Sequence, residues 1–178
     1  MTVKAQRLAV AMMAVVAAGV LSAGLAHSQT AVPDVAAVSN DGVRNFNAEE
    51  EPTYKVEADG TVDWATFSGF RRYHAECHVC HGPDGEGSTY APSLKDSALK
   101  LGYYDFIGVV AGGRQKVGAA ENSVMPSFGT NPNVMCYLDD IYTYLRARGT
   151  EAIPRGRPAK KEAKPEAYAT VEASCIGG

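Results

Sequence analysis

The chain has 178 residues, with 20 acidic and 17 basic side chains and a formal net charge of −3. Hydrophobic residues make up 46% and charged residues 21%, which excludes a disordered polyelectrolyte and leaves enough apolar material for one domain with a modest core.

The first element is a targeting segment. Lys4 and Arg7 precede a run of apolar and small residues from Leu8 to Ala26, and no acid appears before Asp34. This is the pattern of a secretory signal, expected over residues 1–28, with cleavage after Ala26 or after Ser28. The run is also almost long enough to span a bilayer, so an uncleaved membrane anchor is the other reading. Next, from Ala31 to Asp63, eight acids face only Arg44 and Lys55, with no periodic apolar face. Residues 29–62 therefore read as a solvated, flexible acidic arm.

A domain follows over residues 63–149. Trp64, Phe67, Phe70 and Tyr73 recur at helical spacing, which predicts an amphipathic helix from Asp63 to about Cys77, with Asp63 as its cap. Gly69 sits inside this helix, where glycine costs up to about 1 kcal/mol relative to alanine, so a close approach by another helix is expected there. At the end of the helix stands Cys77-His78-Val79-Cys80-His81, the attachment sequence of a c-type haem. The spacing suits that chemistry: two thiols add across the porphyrin vinyl groups while the adjacent imidazole reaches the iron. A thioredoxin-like dithiol would open a helix after a strand, and a structural zinc site would need about four ligands. Neither context is present in the sequence.

Further on, a short helix is expected around Tyr104–Val110, ended by Gly112 and Gly113. The segment around Met125 reads as an irregular strap, because Pro126 forces the residue before it out of the helical region. That makes Met125 the candidate sixth ligand of the iron. Met135 falls beside an apolar stripe and reads as core filler, while His74 and His78 read as surface residues. Val134, Leu138, Ile141, Tyr144 and Leu145 predict a last helix over Asn133–Arg148, stopped by Gly149. In the tail, residues 150–178, Pro154, Pro158 and Pro165 stand among lysines and arginines, favouring an extended, solvated chain. Export argues against a nucleic-acid partner for these bases. The two cysteines left over, Cys136 and Cys175, form an even remainder in an exported chain. They are expected to pair, with Cys136 on the face of the last helix that carries Asp140 and Thr143.

Over Val62–Thr150 these motifs, in this order, resemble the class I c-type cytochromes. Gly69 and Tyr73 precede Cys77 by the family's spacing, "CHVCH" attaches the haem, "APSL" and "MPSF" follow, and "DIYTYLRAR" resembles the closing helix. The resemblance implies an all-α fold of three to four short helices around one covalent haem c. It also implies that the Pro92 carbonyl accepts from the ring N–H of His81, and that Tyr144 packs over Gly69. A narrower likeness, through "VMPSFG" and the extra cysteines, is to the four-cysteine, methanol-metabolism-related periplasmic cytochromes c. That group implies a monomeric one-electron carrier, not an enzyme. Its donor would be a periplasmic PQQ-dependent methanol or alcohol dehydrogenase, and its acceptor another cytochrome or a terminal oxidase. The acidic arm and basic tail could each steer such partners. The competing class, a haem enzyme or ligand sensor, would need an open distal position and a nearby acid–base group, for which only Glu121 is at hand.

Overall fold

The computed structural model describes residues 35–118 and 122–177; the expected signal segment and Glu121 lie outside them. Helix α1, Trp64–Glu76, starts where the sequence places it, because Asp63 satisfies its first turn. The Asp63 carboxylate accepts from the Thr66 N–H at 2.9 Å, the Thr66 hydroxyl at 2.6 Å and the Lys55 N–H at 2.8 Å. Helix α1 packs against α6, Leu138–Gly149, and the two meet at Gly69. A Cβ at Gly69 would run into the Asp140 carbonyl and stand 2.8 Å from the Tyr144 Cβ. Helices α2, His78–His81, α3, Leu94–Lys100, and α4, Tyr103–Gly112, fill the chain between them. The core runs through Phe67, Tyr73, Phe106, Ile141, Tyr144 and Leu145.

The helix expected over Asn133–Arg148 is two helices. Asn131 caps α5, Pro132–Met135, through its side chain, and Cys136 ends it. Tyr137, at φ −126° and ψ 14°, turns the chain into α6. Its buried ring lies under the Arg72 guanidinium at 3.5 Å and its hydroxyl donates to Glu172 at 2.6 Å. Helical periodicity continues through the break, so the pattern alone hides it.

The polar face of α6 is not in water. Asp140, Thr143 and Arg146 are fully buried, and Arg148 nearly so. The acidic arm covers part of this face, which corrects its reading as a flexible, solvated segment. Strands β1, Ser39–Asn40, β2, Asn45–Phe46, and β3, Pro52–Thr53, form a small antiparallel sheet. Arg44, beside β2, donates to Asp140 at 2.8 Å, Glu51 accepts from Arg146 at 2.8 Å, and the Tyr54 and Thr150 hydroxyls bond at 2.6 Å. The arm is held because its charges complement those of α6. Truncating one partner of a buried pair of this kind costs about 3–5 kcal/mol, since the other is left charged and dry.

The tail is likewise packed. Val62 and residues 160–162 exchange two backbone hydrogen bonds, at 3.2 and 2.9 Å. After Pro165 the chain forms α7, Glu166–Ile176, whose Tyr168 is buried. The Tyr168 hydroxyl bonds that of Ser68 at 2.8 Å and donates to the Asp140 carboxylate. Cys136 and Cys175 are joined in a disulfide with Cα atoms 5.8 Å apart, closing 39 residues of chain. A closure of that length removes about 4 kcal/mol of freedom from the unfolded state.

Gly69→Ala tests the crossing. The added methyl should overpack the contact and lower stability by about 1–3 kcal/mol, read as a drop in Tm of the holoprotein by circular dichroism. A variant that unfolds at the wild-type temperature would show that the helices separate there without cost.

Candidate functional site

The end of α1 delivers the site. The Cys77 N–H closes the helix on the Tyr73 carbonyl at 2.8 Å, and the chain turns straight into the short α2, which carries Cys80 and His81. Gly82, at φ +72°, then reverses the chain, and Gly87, at φ +88°, brings it back so that the Gly87 N–H donates to the His81 carbonyl at 2.8 Å. Both positions need glycine twice over. Their φ values are ones that side chains resist, and a Cβ on either would strike the facing backbone. The buried Tyr73 hydroxyl fastens this turn from below, donating to the Gly82 carbonyl at 2.6 Å.

His81 is 6% exposed, and its Nδ1 lies 2.9 Å from the Pro92 carbonyl oxygen. A carbonyl only accepts, so Nδ1 carries the proton and Nε2 keeps its lone pair. His81, Cys77, Cys80 and Pro92 line one wall of a cavity of about 760 Å³, within the roughly 300–1,000 Å³ of small-molecule sites. Leu94, Leu101, Phe106 and Val110 add apolar wall, and Val134, Leu138 and Ile141 bring in α5 and α6. Burial, with help from Glu76 and Cys80, pushes the Cys77 thiol up to about 12. A reactive dithiol needs the opposite shift in its attacking thiol, so Cys77 is not set up for disulfide exchange.

Met125 also lines the cavity; Met135 does not, and packs against the core instead. The segment bearing Met125 is a hairpin rather than an irregular strap. Strands β4, Arg114–Val117, and β5, Asn122–Met125, pair antiparallel, with Arg114 opposite Met125. The all-α expectation therefore needs this hairpin and the small arm sheet added to a mostly helical fold. The cavity thus gathers two thiols, an oriented imidazole and a thioether within largely apolar walls. That set fits a tetrapyrrole with two vinyl groups and a central iron, and suits no hard cation.

Sequence reasoning missed Asp84. It follows the attachment motif at φ +59° and gathers groups from three segments: His74 at 3.5 Å, the Tyr144 hydroxyl and Arg155 at 3.3 Å, and the Gly156 N–H at 3.0 Å. Its only sequence signal is a Pro-Asp-Gly turn. His74, read as a surface residue, is half-buried; its Nδ1 donates to the Phe70 carbonyl at 2.8 Å and its Nε2 faces Asp84.

Known proteins resemble this chain along most of its length. It is 63% identical over 135 residues to cytochrome c-553I of Paracoccus denitrificans, a match that covers 76% of this chain and 60% of the relative. It is 37% identical over 102 residues to cytochrome c-555 of Methylococcus capsulatus, covering 57% of this chain and 76% of that one. The crystal structure of the c-type cytochrome XoxG from Methylobacterium extorquens AM1 superposes with a TM-score of 0.74 at 55% identity, over 80% of this chain and 87% of that one. No protein-family profile matches.

Asp84 gives a pH prediction. Burial pushes its carboxyl up, but the Gly156 N–H, Arg155, His74 and Arg148 together outweigh burial and hold it below the ordinary 3.8. A depressed carboxyl stabilises the fold above its unfolded pKa and loses that contribution as pH falls through the folded one. Asp84→Asn keeps the shape and tolerates the positive φ. It should cost about 1–2 kcal/mol at pH 7 in urea titrations, a gap that narrows as pH falls through and below 3.8. A gap constant with pH would show that the charge contributes nothing.

Proposed function

The chain belongs to the class I c-type cytochromes, electron carriers with one covalently bound haem c, and we propose that Cys77, Cys80, His81 and Met125 hold that haem here. The observation that carries this reading is the meeting of both thiols, the oriented imidazole and the Met125 thioether on one cavity. Haem c, when bound, supplies reversible one-electron iron chemistry. The chain's residues do the rest. Cys77 and Cys80 would fix the cofactor by thioethers, and His81 would offer its Nε2 lone pair to the iron. The Pro92 carbonyl holds that ring in its tautomer and raises its basicity. Met125 would hold the iron through its thioether, a soft ligand that would favour the reduced state. Apolar walls such as Phe106, Val110 and Ile141 keep water from the site, so little rearranges when charge changes.

The setting in this proposal is the periplasm, reached through the signal at residues 1–28, with the protein acting as a monomer. Its donor is a PQQ-dependent methanol or alcohol dehydrogenase, and its acceptor is another cytochrome or a terminal oxidase. The support is the likeness of "CHVCHGPDGEG", "VMPSFG" and the paired extra cysteines to the methanol-metabolism-related cytochromes c.

Met125→Ala should abolish the near-infrared sulfur-to-iron band of the ferric protein and open the iron to cyanide and carbon monoxide. Met135→Ala should leave both unchanged. The reverse pattern would move the ligand to Met135, and no effect from either would remove methionine from the iron.

The donor is tested by stopped flow. Methanol-reduced dehydrogenase from the same organism should reduce the haem rapidly, at rates that fall with added salt. Slow, salt-independent reduction would point to a different donor while leaving the electron-carrier function intact.

A further inference from the structure

One residue of the arm reaches a helix that ends at the distal strap. Glu51 is half-buried and uses both carboxylate oxygens. Its Oε2 accepts from the buried Arg146 guanidinium at 2.8 Å, and its Oε1 accepts from the Tyr103 N–H at 3.3 Å. Tyr103 is the first residue of α4, and the cap position before it is Gly102, which has no side chain to offer. The open N–H groups of that helix end therefore take their acceptor from a residue 52 positions earlier. The negative charge also suits the positive end of the helix dipole. A second hold acts on the same residue, since the Tyr103 hydroxyl donates to Asp139 of α6 at 2.6 Å.

The other end of α4 carries the segment of Met125. The carbonyls of Val110 and Ala111, in its last turn, accept from the Phe128 and Gly129 N–H groups at 3.1 and 3.0 Å. Ala111 also accepts from the Ser127 hydroxyl. Gly113, at φ +74°, ends the helix so close to this segment that a Cβ would stand 2.8 Å from both the Met125 carbonyl oxygen and the Ser127 nitrogen. Between its ends α4 rests on Tyr142 through the rings of Tyr103 and Phe106, with centroids 5.3 and 5.0 Å apart. Ring contacts leave direction open, so the hydrogen bonds at the two ends set the tilt of the helix. Ten helical residues make a rod of about 15 Å, and a change of tilt at Tyr103 is delivered at Met125. We infer that Glu51 is a positioning residue for the distal ligand, holding the first turn of α4 against Arg146 so that the far end presents Met125 to the iron. Without Glu51 the methionine holds the iron less firmly, and an outside ligand takes its place more readily. The arm thereby acts on the site without lining the cavity.

This inference rests on the His/Met reading above, and imidazole is the probe. Ferric holoprotein is titrated with it while the near-infrared sulfur-to-iron band is followed, and circular dichroism melts of the same samples report stability. Glu51→Ala should raise the apparent affinity for imidazole on the order of tenfold, the factor that one charge-assisted hydrogen bond commands. Glu51→Gln keeps an acceptor oxygen but loses the charge. It should fall between Glu51→Ala and wild type, and it carries the comparison if Glu51→Ala does not mature. Tyr54→Phe loosens the same arm elsewhere, by removing its hydroxyl bond to Thr150. That variant should lower Tm and leave imidazole affinity at the wild-type value. Wild-type affinity in the Glu51 variants, or an equal rise in Tyr54→Phe, would overturn the positioning role while leaving the methionine ligand in place. A wild-type ferric protein with no near-infrared band would overturn the reading and the inference together.

Discussion

At Gly69 the backbone of α1 comes so close to the Asp140 carbonyl of α6 that no side chain fits between them, and three further parts of the structure hang on that contact. The Asp140 carboxylate, on the same residue, takes Arg44 from the arm and Tyr168 from the tail helix, while Ser68 beside Gly69 bonds that same tyrosine. One residue of α6 thus touches α1 through its backbone and both chain extensions through its side chain. Burial pushes the Asp140 carboxyl up, opposed by Arg44 and by its hydrogen bonds. A buried pair of this kind adds little net stability over an apolar pair of the same shape, but it admits few alternative partners. Its contribution is to set the register in which arm, tail and crossing helices come together.

The crossing also places the site. Cys77 ends α1, so the angle at which α1 leaves Gly69 decides where the attachment motif begins. Leu138 and Ile141 of α6 line the cavity from the other side, and Tyr144, one turn on, packs against Tyr73 with ring centroids 5.6 Å apart. Tyr73 in turn holds the turn at Gly82. A shift at the crossing would therefore move the thiols, the imidazole and the α6 side of the cavity together. The helices enclose a space of about 760 Å³ rather than filling it with side chains, so a cofactor held there in the proposed way would complete the core as well as carry the electron.

Much of this was legible in the residues. The attachment motif, the Asp63 cap, the stripe of α1, the glycine at the crossing and the pairing of Cys136 with Cys175 all rest on local spacing or on simple counting. What escaped rests on contacts distant in sequence. Arg44 and Asp140 are 96 residues apart, as are Tyr54 and Thr150, and no periodicity within either segment announces the other. A polar helix face gives no sign of burial unless its partner is known, which is why the face carrying Asp140 and Thr143 was not read as part of the packed interior. The break at Tyr137 was hidden for a different reason: apolar residues keep helical phase across it. The hairpin bearing Met125 was missed because its strands are four residues long and largely exposed, too short for alternation to show.

The extensions have a consequence for how charge is used. Neither the arm nor the tail contributes a residue to the lining of the cavity, whose residues run from Glu76 to Ile141. Several of the charges that looked free to steer a partner are engaged elsewhere. Arg44 and Glu51 bind α6, Lys164 and Arg72 meet Glu172, and Arg155 meets Asp84. Charges paired within the molecule project little field beyond a Debye length of about 8 Å at physiological ionic strength. The exposed groups at the cavity are Tyr90 and Val124, with Glu76 and the hairpin cations Arg114 and Lys116 beside them, and Val79 stands exposed between the two thiols. The extensions brace the face of α6 that carries Asp140 and Arg146, and the attachment loop and the hairpin are left uncovered beside the cavity.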